Sequence, residues 1–222
     1  MMKSWIRRKR NSLGFGVQSP NDFYFVRHVL RDEGHYYAYA PLRRMAEQCK
    51  DTLPGCGEPV YRMLFRLANH VHPDTMVEVG CGFTLLSLSM ARLSGRCVGI
   101  TSSVACVSAL QPLLLECPRV ELKNGDEMAV FCQLLHELGT VDLLHVAGTE
   151  YYREVVEAAL PYTHNRSVIV IGGLRDSKEK YAWWRELCDS PHTGVSYDLG
   201  IMGLLFFDKT RYKDAYWIKL KH

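Results

Sequence analysis

The sequence predicts an α/β fold: a mainly parallel sheet covered by helices on both faces and finished by an antiparallel hairpin. Three observations lead there. From residue 73 onward, short apolar runs alternate with helix-length amphipathic stretches. Most of the runs are rich in Val, Leu and Ile, as strands buried on both faces are. The last two runs, Val195–Leu199 and Leu204–Phe207, are separated only by Gly200-Ile201-Met202-Gly203, a tight connection suited to a hairpin.

The elements follow in order. Before residue 73 the pattern is helical with turns. Asn21–Arg31 places Phe23, Val26 and Leu30 at helical spacing after the start signals Pro20 and Asn21. Pro41–Lys50 fits a short helix, DTLPGCGEP breaks the chain with two prolines and two glycines, and Val60–Val71 carries one apolar face through Met63, Leu64, Leu67, Ala68 and Val71. After it, strands are expected at Met76–Val79, Arg96–Ile100, Val120–Leu122, Val141–Val146 and Ser167–Ile171. Helices are expected at Leu85–Leu93, Ser103–Leu115 (with Pro112 disturbing its last turn), Met128–Leu138, Glu150–Leu160 and Lys178–Leu187. The chain thus divides into residues 1–72, a basic tail with a helical region, and residues 73–222, the sheet domain.

Composition narrows the function classes. The chain has 222 residues, 47% hydrophobic and 23% charged, enough apolar character for a sizeable core and too much for a disordered chain. Five basic residues, Lys3 and Arg7 to Arg10, precede the first acid, Asp22. The remaining 22 of the 27 face 24 acids, so the body is slightly acidic and disfavours a nucleic-acid partner. The longest apolar stretches are strand-length, which predicts no membrane span, and the polar residues 11–20 do not follow the charged start as a signal-peptide core would. Eight cysteines without a C-x-x-C pair read as buried free thiols of a reducing cytoplasm and not as a zinc site.

In a parallel sheet the ligand sits beyond the carboxyl ends of the strands, where the strand order reverses. The first strand runs into Glu78-Val79-Gly80-Cys81-Gly82-Phe83-Thr84. Glycines between strand and helix permit a sharp bend and close approach of a ligand to the helix N-terminus. No third glycine stands at the dinucleotide spacing, which counts against NAD. An acid just before the glycines is the arrangement of S-adenosylmethionine (SAM) methyltransferases.

At these residues the chain resembles a class I SAM methyltransferase family found mostly in Bacteroidetes, with O-methyltransferase-like members. LFRLANHVHPDTMVEVGCGFTLLSLSMA is similar to its entry into the first strand, and GFGVQSP to its F-G-x-H-S-P element, with Gln18 where histidine is usual. VELKNGDEM resembles its third-strand region. SVIVIGGLRDSKEKYAWWREL followed by YDLGIMGLLFFDK resembles the fifth strand, next helix and terminal hairpin. The resemblance implies a Rossmann-like, seven-stranded methyltransferase sheet with SAM over its first, second and fourth strands and S-adenosylhomocysteine (SAH) as product. It also implies that the helical part of residues 1–72 caps the cofactor mouth, although helix-on-sheet packing accounts for most of that region's aromatic residues.

The resemblance assigns cofactor contacts to Glu78, Gly80, Cys81, Gly82, Thr101, Ser102, Asp126 and Ala147. Gly80 and Gly82 would approach the methionine part; Glu78 would orient the turn or the ligand amine, or else serve as a cap or in an internal ion pair. The second strand usually ends in an acid that bonds the ribose diol; here Thr101 stands in its place, with Ser102 and Ser103 beside it, weaker partners that also suit helix capping. Asp126 falls near the adenine and is equally a good N-cap. After the fourth strand, Ala147 replaces an acid and Glu150 a histidine, and after the fifth, Gly172-Gly173 replace an acid pair. Those acids hold a divalent cation in metal-dependent relatives, so no catalytic metal is expected.

Methyl transfer then needs alignment and a base. Glu150, His145 and Tyr151 are the candidate bases; His145, inside its strand, reads more simply as a satisfied buried histidine, Glu150 as first-turn charge and Tyr151 as packing. Two functions compete: a metal-independent SAM methyltransferase acting on an unidentified small molecule, and a degenerate methyltransferase fold that binds a ligand or protein without catalysis; a third reading, a nucleic-acid methyltransferase, is weaker, since only the basic start supports it and no N/D-P-P-Y/F/W element is present. Oligomeric state is open, a homodimer included. With acids missing at several strand ends, the remaining carboxylates are expected on the surface.

Overall fold

A computed structural model describes Val17, residues 19–92 and residues 94–220. The expectations for Lys3 to Arg10 and for Gln18 fall outside those residues.

Ser19 starts the first helix: its hydroxyl accepts from the Asp22 amide at 3.3 Å, and Pro20 occupies the first helical position. That helix, α1 (Pro20–Phe25), runs on as a π-helical turn, Val26–Leu30. Then come α2 (Tyr39–Cys49) and α3 (Glu58–Val71), which stops where His72 turns left-handed (φ 55°) before Pro73. The alternating part comprises β1 (Thr75–Val79), α4 (Thr84–Ala91), β2 (Arg96–Thr101), α5 (Val104–Leu110), β3 (Val120–Asn124) and α6 (Glu127–Leu138). It continues with β4 (Leu143–Val146), α7 (Tyr152–Ala159), β5 (Val168–Gly172), α8 (Lys178–Asp189), β6 (Ser196–Asp198), β7 (Met202–Phe206) and β8 (Ala215–Trp217). Pro112 ends α5 and leaves a 3₁₀ turn, Leu113–Glu116.

The strands form one sheet in the order β3-β2-β1-β4-β5-β7-β6-β8. β1 to β5 are parallel, β7 runs antiparallel to both β5 and β6, and β6 with β7 forms the expected hairpin. A seven-stranded sheet is corrected to eight: Ala215–Trp217 pairs in parallel with Ser196–Asp198. The order reverses between β1 and β4, which makes their carboxyl ends the switch point.

Side chains alternate across the sheet. Met76, Leu143, Val168 and Val170 join one apolar cluster with residues of α1 to α4; Val77, Leu144, Val146 and Ile169 join the other with α6, α7 and α8. Of the N-terminal aromatics, Phe25 and Tyr39 are buried, whereas Phe23, Tyr24 and Tyr37 are exposed. The Phe25 ring lies 5.0 Å from Tyr197 and 5.2 Å from Phe206. Trp184 fills the space over Gly203, where an added Cβ would come within 2.5 Å of the indole. All eight cysteines are free thiols, five of them buried. Among the described residues no helix is long and apolar enough to cross a membrane.

The expectation that the remaining carboxylates lie on the surface is overturned. Asp22, Glu78, Glu127 and Asp198 are all buried. Burial is tolerable because each is surrounded by donors. Asp22 accepts from Tyr197 Oη at 2.6 Å and from the Arg211 guanidinium, and Asp198 accepts from Arg175 at 2.8 Å and Tyr181 Oη at 3.0 Å.

Candidate functional site

The glycine turn lies where β1 meets α4. Gly80 has φ +73°, a left-handed conformation that glycine adopts without steric cost. An added Cβ there would stand 2.7 Å from the Gly148 carbonyl carbon and the Thr149 nitrogen, so the turn and the loop after β4 are in backbone contact. At Gly82 an added Cβ would stand 2.6 Å from the Pro54 carbonyl oxygen. The segment read as a chain break therefore lies over the turn.

The turn's amides are all engaged within the protein. Gly80 N and Cys81 N donate to the Ile100 carbonyl at 3.0 and 3.1 Å, and Phe83 N donates to the Pro54 carbonyl at 2.9 Å. Gly82 N donates to Glu78 Oε1 at 3.0 Å. The other carboxylate oxygen of Glu78 lies 2.7 Å from His145 Nδ1. Glu78 thus clasps the glycine turn with one oxygen and the next strand's histidine with the other. Cys81 is buried, and burial, reinforced by the Glu78 charge, pushes its thiol well above the ordinary range, away from nucleophile chemistry.

Beyond β2, Thr101 is buried with its hydroxyl accepting from Ser103 N at 3.1 Å. Ser103 in turn caps α5 by accepting from Cys106 N at 3.2 Å. A carboxylate does reach this strand end, supplied by Glu127 in the first turn of α6: its Oε1 accepts from Ser102 N at 3.2 Å and Ser102 Oγ at 3.3 Å. Asp126 caps α6, with Oδ1 accepting from Ala129 N at 2.7 Å, and remains exposed. Ser102, Asp126 and Glu127 therefore form one polar edge beyond β2 and β3, able to accept from a diol or an amine. The sequence reading did not single out Glu127. Its position directly after an N-cap masks it as first-turn charge.

Beyond β4 and β5 a cavity of about 190 Å³ opens. Pro54, Gly55 and Val60 wall it from the helical side, Gly82 and Thr84 from the turn, and Ile201 and Met202 from the hairpin. Ala147, Gly148, Gly172 and Gly173 form its strand-end rim. His145, 3% exposed, is its one lining residue with an ionisable side chain. Glu150 is exposed and Tyr151 is 38% exposed, and neither lines the cavity. A larger recess of about 520 Å³ lies among Arg31, Asp32, Glu58, Arg62 and Arg66, but none of its lining residues belongs to a strand end. Among the described residues no three His, Cys, Asp or Glu side chains converge as a metal-binding group.

The sheet order, the glycine turn at the switch point and the terminal hairpin define a Rossmann-like methyltransferase fold. No protein-family model matches the chain, and neither does any curated protein. Solved structures share the fold. One is the O-methyltransferase TomG from Streptomyces achromogenes, involved in tomaymycin synthesis and solved in complex with SAM: 16% identity, 93% of this chain and 99% of that one covered, TM-score 0.62. Another is the SAH-bound methyltransferase from Podospora anserina: 16% identity, 82% and 91% covered, TM-score 0.62. A methyltransferase from Geobacter sulfurreducens gives 18% identity, 80% and 91% covered, TM-score 0.62. At such identities the likeness is one of fold.

Proposed function

We propose that this protein is a SAM-dependent methyltransferase that acts on a small-molecule acceptor without a catalytic metal and leaves SAH. The observation that carries the reading is the glycine turn at the switch point of a sheet whose solved neighbours include proteins holding SAM or SAH. When bound, SAM supplies an electrophilic methyl group on a sulfonium. The polar edge suits its nucleoside end: Glu127 with Ser102 is the acceptor set for the ribose diol, and Asp126 is the acceptor for the adenine amine. The turn Gly80-Cys81-Gly82 with Glu78, beside Thr101 and Ala147, is the place for the methionine end, reached when Pro54 withdraws from Gly82. Ala147, Gly172 and Gly173 offer no side-chain oxygen for a cation, which supports the metal-independent reading. The free thiols fit a cytoplasmic setting. Sequence resemblance to the Bacteroidetes family agrees with this reading.

Calorimetric titration with SAM and SAH tests it. Saturable binding, abolished by Gly80→Asp, is expected; no binding at millimolar ligand overturns it. Activity lost on chelation and restored by Mg²⁺ would overturn the metal-independent part. A second reading, a degenerate fold serving as a ligand- or protein-binding module, is favoured by one observation: every amide from Gly80 to Phe83 is already bonded within the protein. The same titration separates the two.

A further inference from the structure

We propose that the recess between the end of the π-helical turn and the first turns of α3 binds the phosphate group of a small phosphomonoester, held by Arg62 and Arg66. None of its lining residues belongs to the glycine turn, so the site is independent of the methyltransferase reading.

The recess has a volume of about 520 Å³, the size of a pocket for a small organic molecule. Glu58, Arg62 and Arg66 line it from successive turns of α3, so the two arginines are like charges about 6 Å apart along the helix axis. Arg66 is 9% exposed. Among the described residues its guanidinium donates to three neutral groups: the Val29 carbonyl at 2.7 Å, the Leu30 carbonyl at 3.2 Å and the Tyr39 hydroxyl at 3.1 Å. The two carbonyls close a helical segment, whose end carries about half a negative charge. Capping that end therefore leaves the buried cation short of a full counter-charge, and a buried charge is costly until it is paired.

The neighbouring acids do not complete the pairing. Glu58 Oε1 is shared between Arg62 and Arg43. Asp32 accepts from the Gly34 amide at 3.0 Å and from the Tyr36 hydroxyl at 2.5 Å. Arg62 lies over the Tyr39 ring, 4.4 Å from its centroid, so Tyr39 spaces the two guanidiniums, one on its face and the other on its hydroxyl. Arg31 lines the recess as a third guanidinium, and Glu33, also in its wall, is exposed to solvent.

An anion that reaches both arginines needs oxygens facing in more than one direction. The tetrahedral oxygens of a phosphate do this, whereas the two coplanar oxygens of a carboxylate are filled by a single guanidinium fork. The rest of the recess, bordered by Leu30, Pro59 and Leu220, suits an apolar body attached to the phosphate.

Calorimetry in a phosphate-free, low-salt buffer tests the site with phenyl phosphate, inorganic phosphate and benzoate as probes. Phenyl phosphate should bind saturably below millimolar concentration, tighter than inorganic phosphate and roughly tenfold or more tighter than benzoate. Arg62→Gln should weaken phenyl phosphate roughly tenfold or more, and Arg62→Lys less. Arg44→Gln, which changes an exposed arginine paired with Glu116 outside the recess, should leave binding unchanged. Nitrogen NMR of ¹⁵N-arginine-labelled wild type should show the Nε–H resonances of Arg62 and Arg66 moving with phenyl phosphate, which reports on Arg66 without a variant that could fail to fold. Benzoate binding as tightly as phenyl phosphate would overturn the phosphate assignment, and inorganic phosphate binding as tightly would overturn the ester. No saturable binding of phenyl phosphate, undiminished binding by Arg62→Gln, or unmoved resonances of both arginines would overturn the site itself.

Discussion

Glu78 and His145 are register partners on the adjacent parallel strands β1 and β4, and their side chains meet 2.7 Å apart on the sheet face covered by the N-terminal helices. Sixty-seven residues separate them in the chain. The pair is enclosed, Glu78 fully so, and Glu78 also holds the Gly82 amide. Removing the carboxylate therefore strands two donors at once.

Glu78→Leu should destabilise the fold by about 3–5 kcal/mol, because an unpaired buried group remains on each side. Glu78→Gln keeps the shape and an oxygen for Gly82 and should cost about 1–2 kcal/mol. Urea unfolding of both variants checks the order; equal losses would mean that burial volume, not the hydrogen bonds, sets the cost.

Glu127→Gln addresses the polar edge. Charge-assisted bonds to a diol are worth about 1.5–3 kcal/mol, so SAH affinity should fall roughly tenfold to a hundredfold. Thr101→Ala should change affinity far less, since the Thr101 hydroxyl is buried and already accepts from Ser103 N. Calorimetry on the two variants decides; a larger loss for Thr101→Ala would return the diol to the strand end itself.

The contrast between these residues shows what the sequence could disclose. The Val-, Ile- and Leu-rich runs announce β1, β4 and β5 because both of their faces are buried. β8 is three residues long with an exposed first residue, and only its pairing with β6 makes it a strand. The π-helical turn Val26–Leu30 has no signature separable from α-helical spacing. At the site, the glycine turn was legible from its local context. Glu127 was not, since its relation to Ser102 exists only once α6 is folded against β2. His145 looked like a core residue because its neighbours in sequence are core residues, while the residue that orients it lies on another strand.

Asp142 carries a pH dependence. Burial raises its carboxyl, but the Thr75 amide, His164 and the Asp74 amide together outweigh burial and hold it below the usual range. Those bonds are short: 2.8 Å from both amides and 2.7 Å from His164 Nε2. A carboxylate depressed on folding contributes stability that is fully present above its unfolded value, near 3.9, and is lost as pH falls through the folded one. Asp142→Asn should thus be less stable by about 1–3 kcal/mol at neutral pH, with the gap to wild type closing below about pH 4. Urea midpoints measured from neutral to acid pH give the curve; a constant gap would place the stabilisation elsewhere.

The two glycines of the turn should respond differently to alanine. Gly80 is left-handed, and its added Cβ would meet two backbone atoms at 2.7 Å, neither of which can step aside without moving the loop after β4. Gly80→Ala should therefore cost about 3 kcal/mol or more. Gly82 lacks the positive φ, and its Cβ would meet Pro54, at 2.6 Å from the carbonyl oxygen and 2.8 Å from the ring. Pro54 is exposed and lies outside the regular elements, so the segment around it can lift at a smaller cost, about 1–2 kcal/mol. Lifting it breaks the bond from Phe83 N to the Pro54 carbonyl and frees that amide for a ligand carboxylate. Gly82→Ala should accordingly speed hydrogen exchange at Phe83 while its methyl group, standing where the ligand approaches, lowers SAH affinity at little cost in stability, whereas Gly80→Ala should lower both stability and affinity. Equal destabilisation by the two substitutions would make Pro54 a fixed part of the core and leave the turn closed to any ligand.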